Sequence, residues 1–94
     1  MDVRYHRDPD TGLPHIHGHG ITEEEVEDVL RKPGETRTGT EDSRHALGQT
    51  AAGRYLRVIY VPDPVGEGVF VVTAYELTGK QLQAFRRRRR KKGK

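Results

Sequence analysis

Residues 54–61 read RYLRVIYV and residues 69–75 read VFVVTAY, and these two runs hold most of the apolar surface that the chain can bury. Both runs are rich in β-branched and aromatic residues, which are typical of β-strands. The second run is apolar on both faces, as expected of a strand placed centrally in a sheet. Residues 51–53, Ala-Ala-Gly, fit a three-residue hairpin loop in which Gly53 adopts a positive φ. The sequence therefore predicts an antiparallel β-meander over residues 44–75.

The hairpin loop fixes the register between the first two strands of the meander. It places Thr50 opposite Arg54 and His45 opposite Ile59, and directly opposed residues share one face of a sheet. A shift of one residue would exchange the two faces. The predicted core face carries Leu56, Val58 and Tyr60 over the small Ala46 and Gly48. The predicted open face carries His45, Leu47, Gln49, Tyr55, Arg57 and Ile59.

Two capping-box patterns mark the starts of two helices. Thr22 is followed by Glu25, and Thr78 by Gln81, at the spacing that lets each pair of side chains bond the exposed backbone amides of a helix start. Each box is flanked by apolar residues at staple spacing, and apolar residues follow at helical spacing. The predicted helices cover residues 21–31 and about 79–90.

These elements predict an α+β fold with a small antiparallel sheet of three to four strands. Residues 3–5 and 35–38 are candidate short strands beside the meander. Both helices are expected on the core face, which leaves the other face open. Residues 1–85 form one predicted domain, followed by a basic C-terminal segment at residues 86–94.

Composition limits the cellular setting and the partner. The 94 residues contain no cysteine and no apolar run near the ~20 residues of a membrane span, so we expect a cytoplasmic protein without membrane contact. Residues 86–94 hold eight of the 17 Lys and Arg, which leaves 9 basic against 14 acidic residues, a net charge of −5, in the rest of the chain. This asymmetry predicts contact with nucleic acid. The predicted contacts are Arg86, Arg87, Arg88, Arg89, Arg90, Lys91 and Lys92.

Three alternating histidines precede the first helix. On an extended segment, His15, His17 and His19 would point to one side, as a divalent metal requires. No cysteine or paired carboxylate nearby completes a ligand set, so no metal site is predicted. A metal-binding protein built on these residues stays as a third reading.

Three segments in combination resemble the BrnT-type toxins and a related family of small domains whose last strand ends in Thr-Ala-Tyr. They are residues 20–26, the Gly-(x4)-Gly-Arg-Tyr-Leu pattern of residues 48–56, and Val-Thr-Ala-Tyr at residues 72–75. Residues 19–22, His-Gly-Ile-Thr, are similar to the His-Gly-Val-Ser that enters the first helix of BrnT-type toxins. The resemblance covers roughly residues 15–85.

The resemblance implies a RelE-like fold, in which a curved antiparallel sheet is backed by helices and binds RNA on its open face. It implies an endoribonuclease that works without metal or cofactor and is neutralised by a cognate antitoxin. The chain departs from the BrnT-type pattern at Gly18, where those toxins have Lys, and at Tyr75, where they have Arg. The alternative is a non-catalytic nucleic-acid-binding domain of the same fold, whose basic segment provides the affinity.

Candidate site residues follow from the chemistry of metal-free RNA cleavage, which must deprotonate the 2′-hydroxyl and stabilise the charge of the phosphorane. His45 is the candidate acid or base, and Arg57 is the candidate phosphate ligand. Tyr75, on the last strand, is the third candidate catalytic residue. Tyr55 is a candidate for stacking on a base, and Arg54 matches the Gly-Arg motif, so both are predicted RNA contacts.

Overall fold

A computed structural model describes residues 2–92 of the chain, and these residues form a five-stranded sheet with two α-helices and a 3-10 helix. Residues 93 and 94 of the basic segment, and the side chain of Lys92, lie outside the described part. The elements are β1 (Val3–Tyr5), a 3-10 helix (His15–His19), α1 (Glu23–Arg31), β2 (Glu35–Thr38), β3 (Arg44–Gln49), β4 (Tyr55–Pro62), β5 (Val69–Glu76) and α2 (Gly79–Lys92).

The sheet is larger than predicted, and it is mixed rather than purely antiparallel. Its strand order is β1-β5-β4-β3-β2, and β1 pairs in parallel with β5 from Val3 opposite Val69 to Tyr5 opposite Val71. The apolar β5 would otherwise leave a row of unpaired backbone groups along a sheet edge. The short β1 covers that edge, so β5 is internal, as its sequence predicted.

The predicted hairpin register is confirmed. Gln49 is opposite Tyr55, His45 is opposite Ile59, and Gly53 in the loop has a φ of 99°. The pairing of β4 with β5 shifts after Ile59 and leaves Val72 as an extra residue in β5, a β-bulge.

The main core lies between the predicted core face and α1. Val26 and Val29 of α1 pack with Leu56 and Val58 of β4, and all four are fully buried. The capping box of α1 is confirmed, since the Glu25 amide donates to Thr22 Oγ1 at 3.2 Å and the Thr22 amide donates to Glu25 Oε1 at 3.0 Å.

The expectation that both helices cover one face is wrong for α2. This helix packs on the opposite face, where Phe85 and Leu77 form a second buried cluster with Leu47. Leu47 is an apolar side chain on that face, and the packing of α2 removes it from water. No side-chain bond between Thr78 and Gln81 closes a second capping box among the described residues, and the helix starts instead at a left-handed Gly79 with φ 55°. None of the helices within residues 2–92 has the length and apolar character that crossing a membrane requires.

Candidate nucleic-acid interface

A groove of about 580 Å³ lies between α2 and the segment that joins α1 to β2. Its floor is built by the ends of β3 and β4 and by Phe85. The close approach of α2 requires glycine at position 34, because a Cβ there would lie 2.9 Å from Phe85 Cζ. The polar and aromatic side chains along the groove are Lys32, Gln49, Thr50, Tyr55, Phe85, Arg86, Arg89 and Arg90. No carboxylate of the residues that the structure describes lines it.

Helical spacing places three of the predicted RNA contacts on the groove. Arg86, Arg89 and Arg90 lie three and four residues apart and therefore share one side of α2. The Arg86 guanidinium lies 5.9 Å from the centroid of the Tyr55 ring, a cation–π contact. Arg89 Nη1 donates to the Gly34 carbonyl at 2.9 Å. Arg90 makes no hydrogen bond or ion pair with the residues that the structure describes, so its charge faces the groove uncompensated.

Arg88 lies on the other side of α2 and attaches the helix to the sheet. Its Nε donates to Glu35 Oε1 at 2.9 Å, and Arg37 Nε binds the other oxygen of the same carboxylate at 2.8 Å. Burial alone would raise the pKa of Glu35, but the hydrogen bonds from the two arginines outweigh it and hold the pKa below its ordinary value. The Arg88 charge is therefore partly compensated by the protein itself, through a carboxylate that it shares with Arg37.

Arg54 is also neutralised by the protein. Its Nη1 donates to Glu25 Oε2 at 2.8 Å and to the Gly20 carbonyl at 3.1 Å, and its Nη2 lies 3.3 Å from Glu76 Oε1. The residue ties the β3–β4 hairpin to the start of α1, away from the groove. Arg87 and Lys91, the other predicted contacts on α2, are exposed and do not line the groove.

The three candidate catalytic residues share the face on which α2 packs, and all three are half-buried. Arg57 is directly opposite both Leu47 and Tyr75, and its Nη1 lies 2.8 Å from His45 Nδ1. Because guanidinium only donates, His45 Nδ1 accepts and the neutral ring carries its proton on Nε2. Burial, and then the charges of Arg57 and Arg37, lower the pKa of His45. His45 is thus a neutral imidazole at pH 7.

The Arg57 guanidinium is only partly satisfied. Its Nε is buried and has no hydrogen-bond partner among the described residues. A buried donor left unpaired costs about 1–3 kcal/mol, more when it is charged. Such a group gains more than an exposed arginine from an incoming anion.

Lys32 and Gln49 are groove residues that the sequence analysis missed. A signal for Gln49 was present, because the predicted register places it opposite Tyr55 on the same face. Lys32 follows the last residue of α1, and only the packing of α2 beside that helix end brings it to the groove.

The histidine segment is helical rather than extended, so its three side chains do not point to one side. His15 and His19 face each other with their Nε2 atoms 3.3 Å apart, whereas His17 Nε2 binds Glu23 Oε1 at 2.7 Å. Within residues 2–92, no group of three or more histidine, aspartate and glutamate side chains is arranged to hold a metal ion.

Comparison of the chain with protein-family models, with curated proteins and with solved structures finds no match. The fold and its two polar sites define a small α+β domain with a cationic groove on one side of α2 and a histidine–arginine pair on the face of the sheet where α2 packs.

Proposed function

We propose that this protein binds single-stranded RNA in the groove beside α2. The observation that carries the proposal is the convergence of four cationic side chains and the Tyr55 ring on a groove that no carboxylate of the described residues lines. Lys32, Arg86 and Arg90 supply charge for phosphates, and Tyr55 offers a ring face to an unstacked base. Bases are available for such stacking in single strands and not inside a duplex, and the resemblance to ribonuclease toxins favours RNA.

The test compares two double variants of α2 that remove the same charge. The double variant Arg86→Gln with Arg90→Gln removes two positive charges from the groove. The double variant Arg87→Gln with Lys91→Gln removes two positive charges that lie outside the groove. Because each charge-assisted hydrogen bond contributes roughly 1.5 kcal/mol or more, which is about tenfold, loss of two should weaken binding of an unstructured RNA about 100-fold in the first variant. The second should bind nearly as the unmodified chain does. Dissociation constants from fluorescence anisotropy measure both.

Equal losses of RNA affinity in the two variants would contradict binding in the groove, because the positive charge of α2 would then act without regard to position. Unchanged RNA affinity in both variants would show that α2 does not contact the RNA. Circular dichroism should show that each variant remains folded, because all four substituted residues are exposed.

The contact between His45 and Arg57 favours a second candidate function, RNA cleavage, with a cognate antitoxin as the expected partner. A phosphate forms stronger, bidentate hydrogen bonds with guanidinium than a neutral imidazole does. An RNA phosphate would therefore draw Arg57 away from His45 and free the Nδ1 lone pair. His45 then takes the 2′-hydroxyl proton, and the 2′-oxygen bonds to phosphorus while Arg57 stabilises the phosphorane. The bond from phosphorus to the 5′-oxygen breaks, the 5′-oxygen takes a proton from water, and a 2′,3′-cyclic phosphate remains. Tyr75 borders the site on β5.

A further inference from the structure

The 3-10 helix brings two imidazole rings together, outside the groove and the sheet. His15 and His19 lie at the two ends of the 3-10 helix, with ring centroids 5.0 Å apart and Nε2 atoms 3.3 Å apart. Ile16, inside the same helix, is 1% exposed and packs in the main core. The core therefore fixes the helix that holds both rings, and the pair is built before any ligand arrives.

Asp8 orients the first ring. Its Oδ1 lies 2.8 Å from His15 Nδ1. A carboxylate only accepts hydrogen bonds, so His15 Nδ1 carries the proton and the lone pair of the neutral ring lies on Nε2, where it accepts from His19 Nε2. A metal ion would take the place of the His19 Nε2 proton, and the neutral His19 ring would carry its proton on Nδ1. A carboxylate bound to the far nitrogen is the common outer partner of a histidine that ligates a metal, because it fixes the tautomer and strengthens the ligand.

We propose that His15 and His19 together bind one divalent transition-metal ion through their Nε2 atoms, with water in the remaining positions. Two nitrogen ligands at about 2.0–2.1 Å from a tetrahedral ion lie about 3.3 Å from each other, which matches the observed separation. The same separation is longer than most hydrogen bonds between protein polar atoms. Imidazole ligands with tetrahedral geometry fit Zn²⁺ best and do not fit Mg²⁺ or Ca²⁺.

The ion would hold the N-terminal loop against the core. Asp8 begins the turn that returns the chain to Pro14, and the His15 amide donates to the His6 carbonyl at 2.8 Å. Because an ion that binds only the folded chain stabilises it, Zn²⁺ should raise the melting temperature.

His17 supplies a matched control, since it lies between the two proposed ligands but binds Glu23 instead. Zn²⁺ titrated into the full chain without an affinity tag at pH 7.5 should bind once per chain by calorimetry. His15→Ala and His19→Ala should each weaken binding more than about tenfold, and Asp8→Asn about tenfold, within the range seen for outer partners. His17→Ala should leave the affinity unchanged, and Mg²⁺ should not bind.

Nitrogen chemical shifts of the imidazoles give a second readout in the unmodified chain, which does not depend on how well a variant folds. On Zn²⁺ addition, the Nε2 signals of His15 and His19 should move and those of His17 should not. The proposal is overturned if Zn²⁺ fails to bind, if His17→Ala weakens binding as much as His19→Ala, or if both ligand variants retain full affinity.

Discussion

At the scale of single residues, the ability of an arginine to meet RNA depends on whether the protein already neutralises it. Arg54 and Arg88 are each held by carboxylates at 2.8–2.9 Å. Arg86 instead lies over Tyr55, and Arg57 is bound to a neutral imidazole. The arginines of this chain thus divide into those that carboxylates of the protein hold and those whose charge is left for a ligand.

The pH dependence of any RNA cleavage follows from His45. Its pKa is lowered below the ordinary value of 6.5, so the neutral form that a base requires persists at pH 6.5 and is lost only at lower pH. The acid limb of the pH–rate profile should therefore have its midpoint below pH 6.5. His45→Ala should remove this limb, and Arg57→Ala should lower the rate on the order of 10²-fold. Initial rates on a labelled RNA measure these effects.

Removing Arg57 also removes a charge that lowers the pKa of His45, so the residual activity of Arg57→Ala should fall off at a higher pH than that of the unmodified chain. Neither residue belongs to the buried clusters, so both variants should fold. If the chain, once freed of any partner, leaves RNA uncut, cleavage is excluded and RNA binding remains as the proposed function.

At the scale of elements, the groove exists because a buried aromatic side chain packs α2 against the sheet, alongside the polar attachments of Arg88 and Arg89. Phe85 is 2% exposed, and its ring meets that of Tyr55 edge-on with centroids 6.0 Å apart. The helix carries five consecutive arginines from residue 86 and has no acidic residue to pair with them. Packing by Phe85 therefore holds mutually repelling charges in place.

Phe85→Ala should detach α2 and abolish the groove. Truncation of a buried phenylalanine costs about 3–5 kcal/mol, a large fraction of the stability of a domain this small. Urea unfolding should show that loss, and RNA affinity should fall with it although no charge is removed. Val65→Ala, at a position 81% exposed, should change stability by less than about 0.5 kcal/mol. If folded Phe85→Ala kept full RNA affinity, RNA binding would not depend on the groove.

At the scale of the whole molecule, charge is divided between a body with a net charge of −5 and a basic C-terminal segment. The described part of that segment continues α2 and lies against the body through Arg88 and Arg89. Deleting residues 86–94 would remove these attachments together with the RNA contacts. Substitution of exposed arginines therefore separates binding from packing more cleanly.

The salt dependence of RNA affinity should report how many phosphates the groove neutralises. For a single strand, log K falls with log salt at a slope of about −0.7 for each phosphate contact. The double variant Arg86→Gln with Arg90→Gln should therefore make the slope about 1.4 less steep, and Arg87→Gln with Lys91→Gln should change it less. Anisotropy titrations across a salt series measure the slopes. Binding of the unmodified chain that did not depend on salt would exclude phosphate contact as its source.

The sequence by itself determined the features that depend on local spacing. The three-residue loop set the register from Gln49 to His45, and the Thr22 capping box set the start of α1. The same register put His45 and Arg57 on one face, where the structure brings their nitrogens to 2.8 Å. Each of these relations spans few residues, so backbone geometry alone fixes it.

Only the tertiary structure decided which face α2 covers, how β1 joins the sheet and which arginines are neutralised. A helix connected to a strand end can fold onto either face, and the choice depended on Leu47 needing cover. The pairing of Val3 with Val69 and the bond from Arg88 to Glu35 join residues more than 50 positions apart. Such contacts depend on packing of the complete chain, which no local pattern encodes.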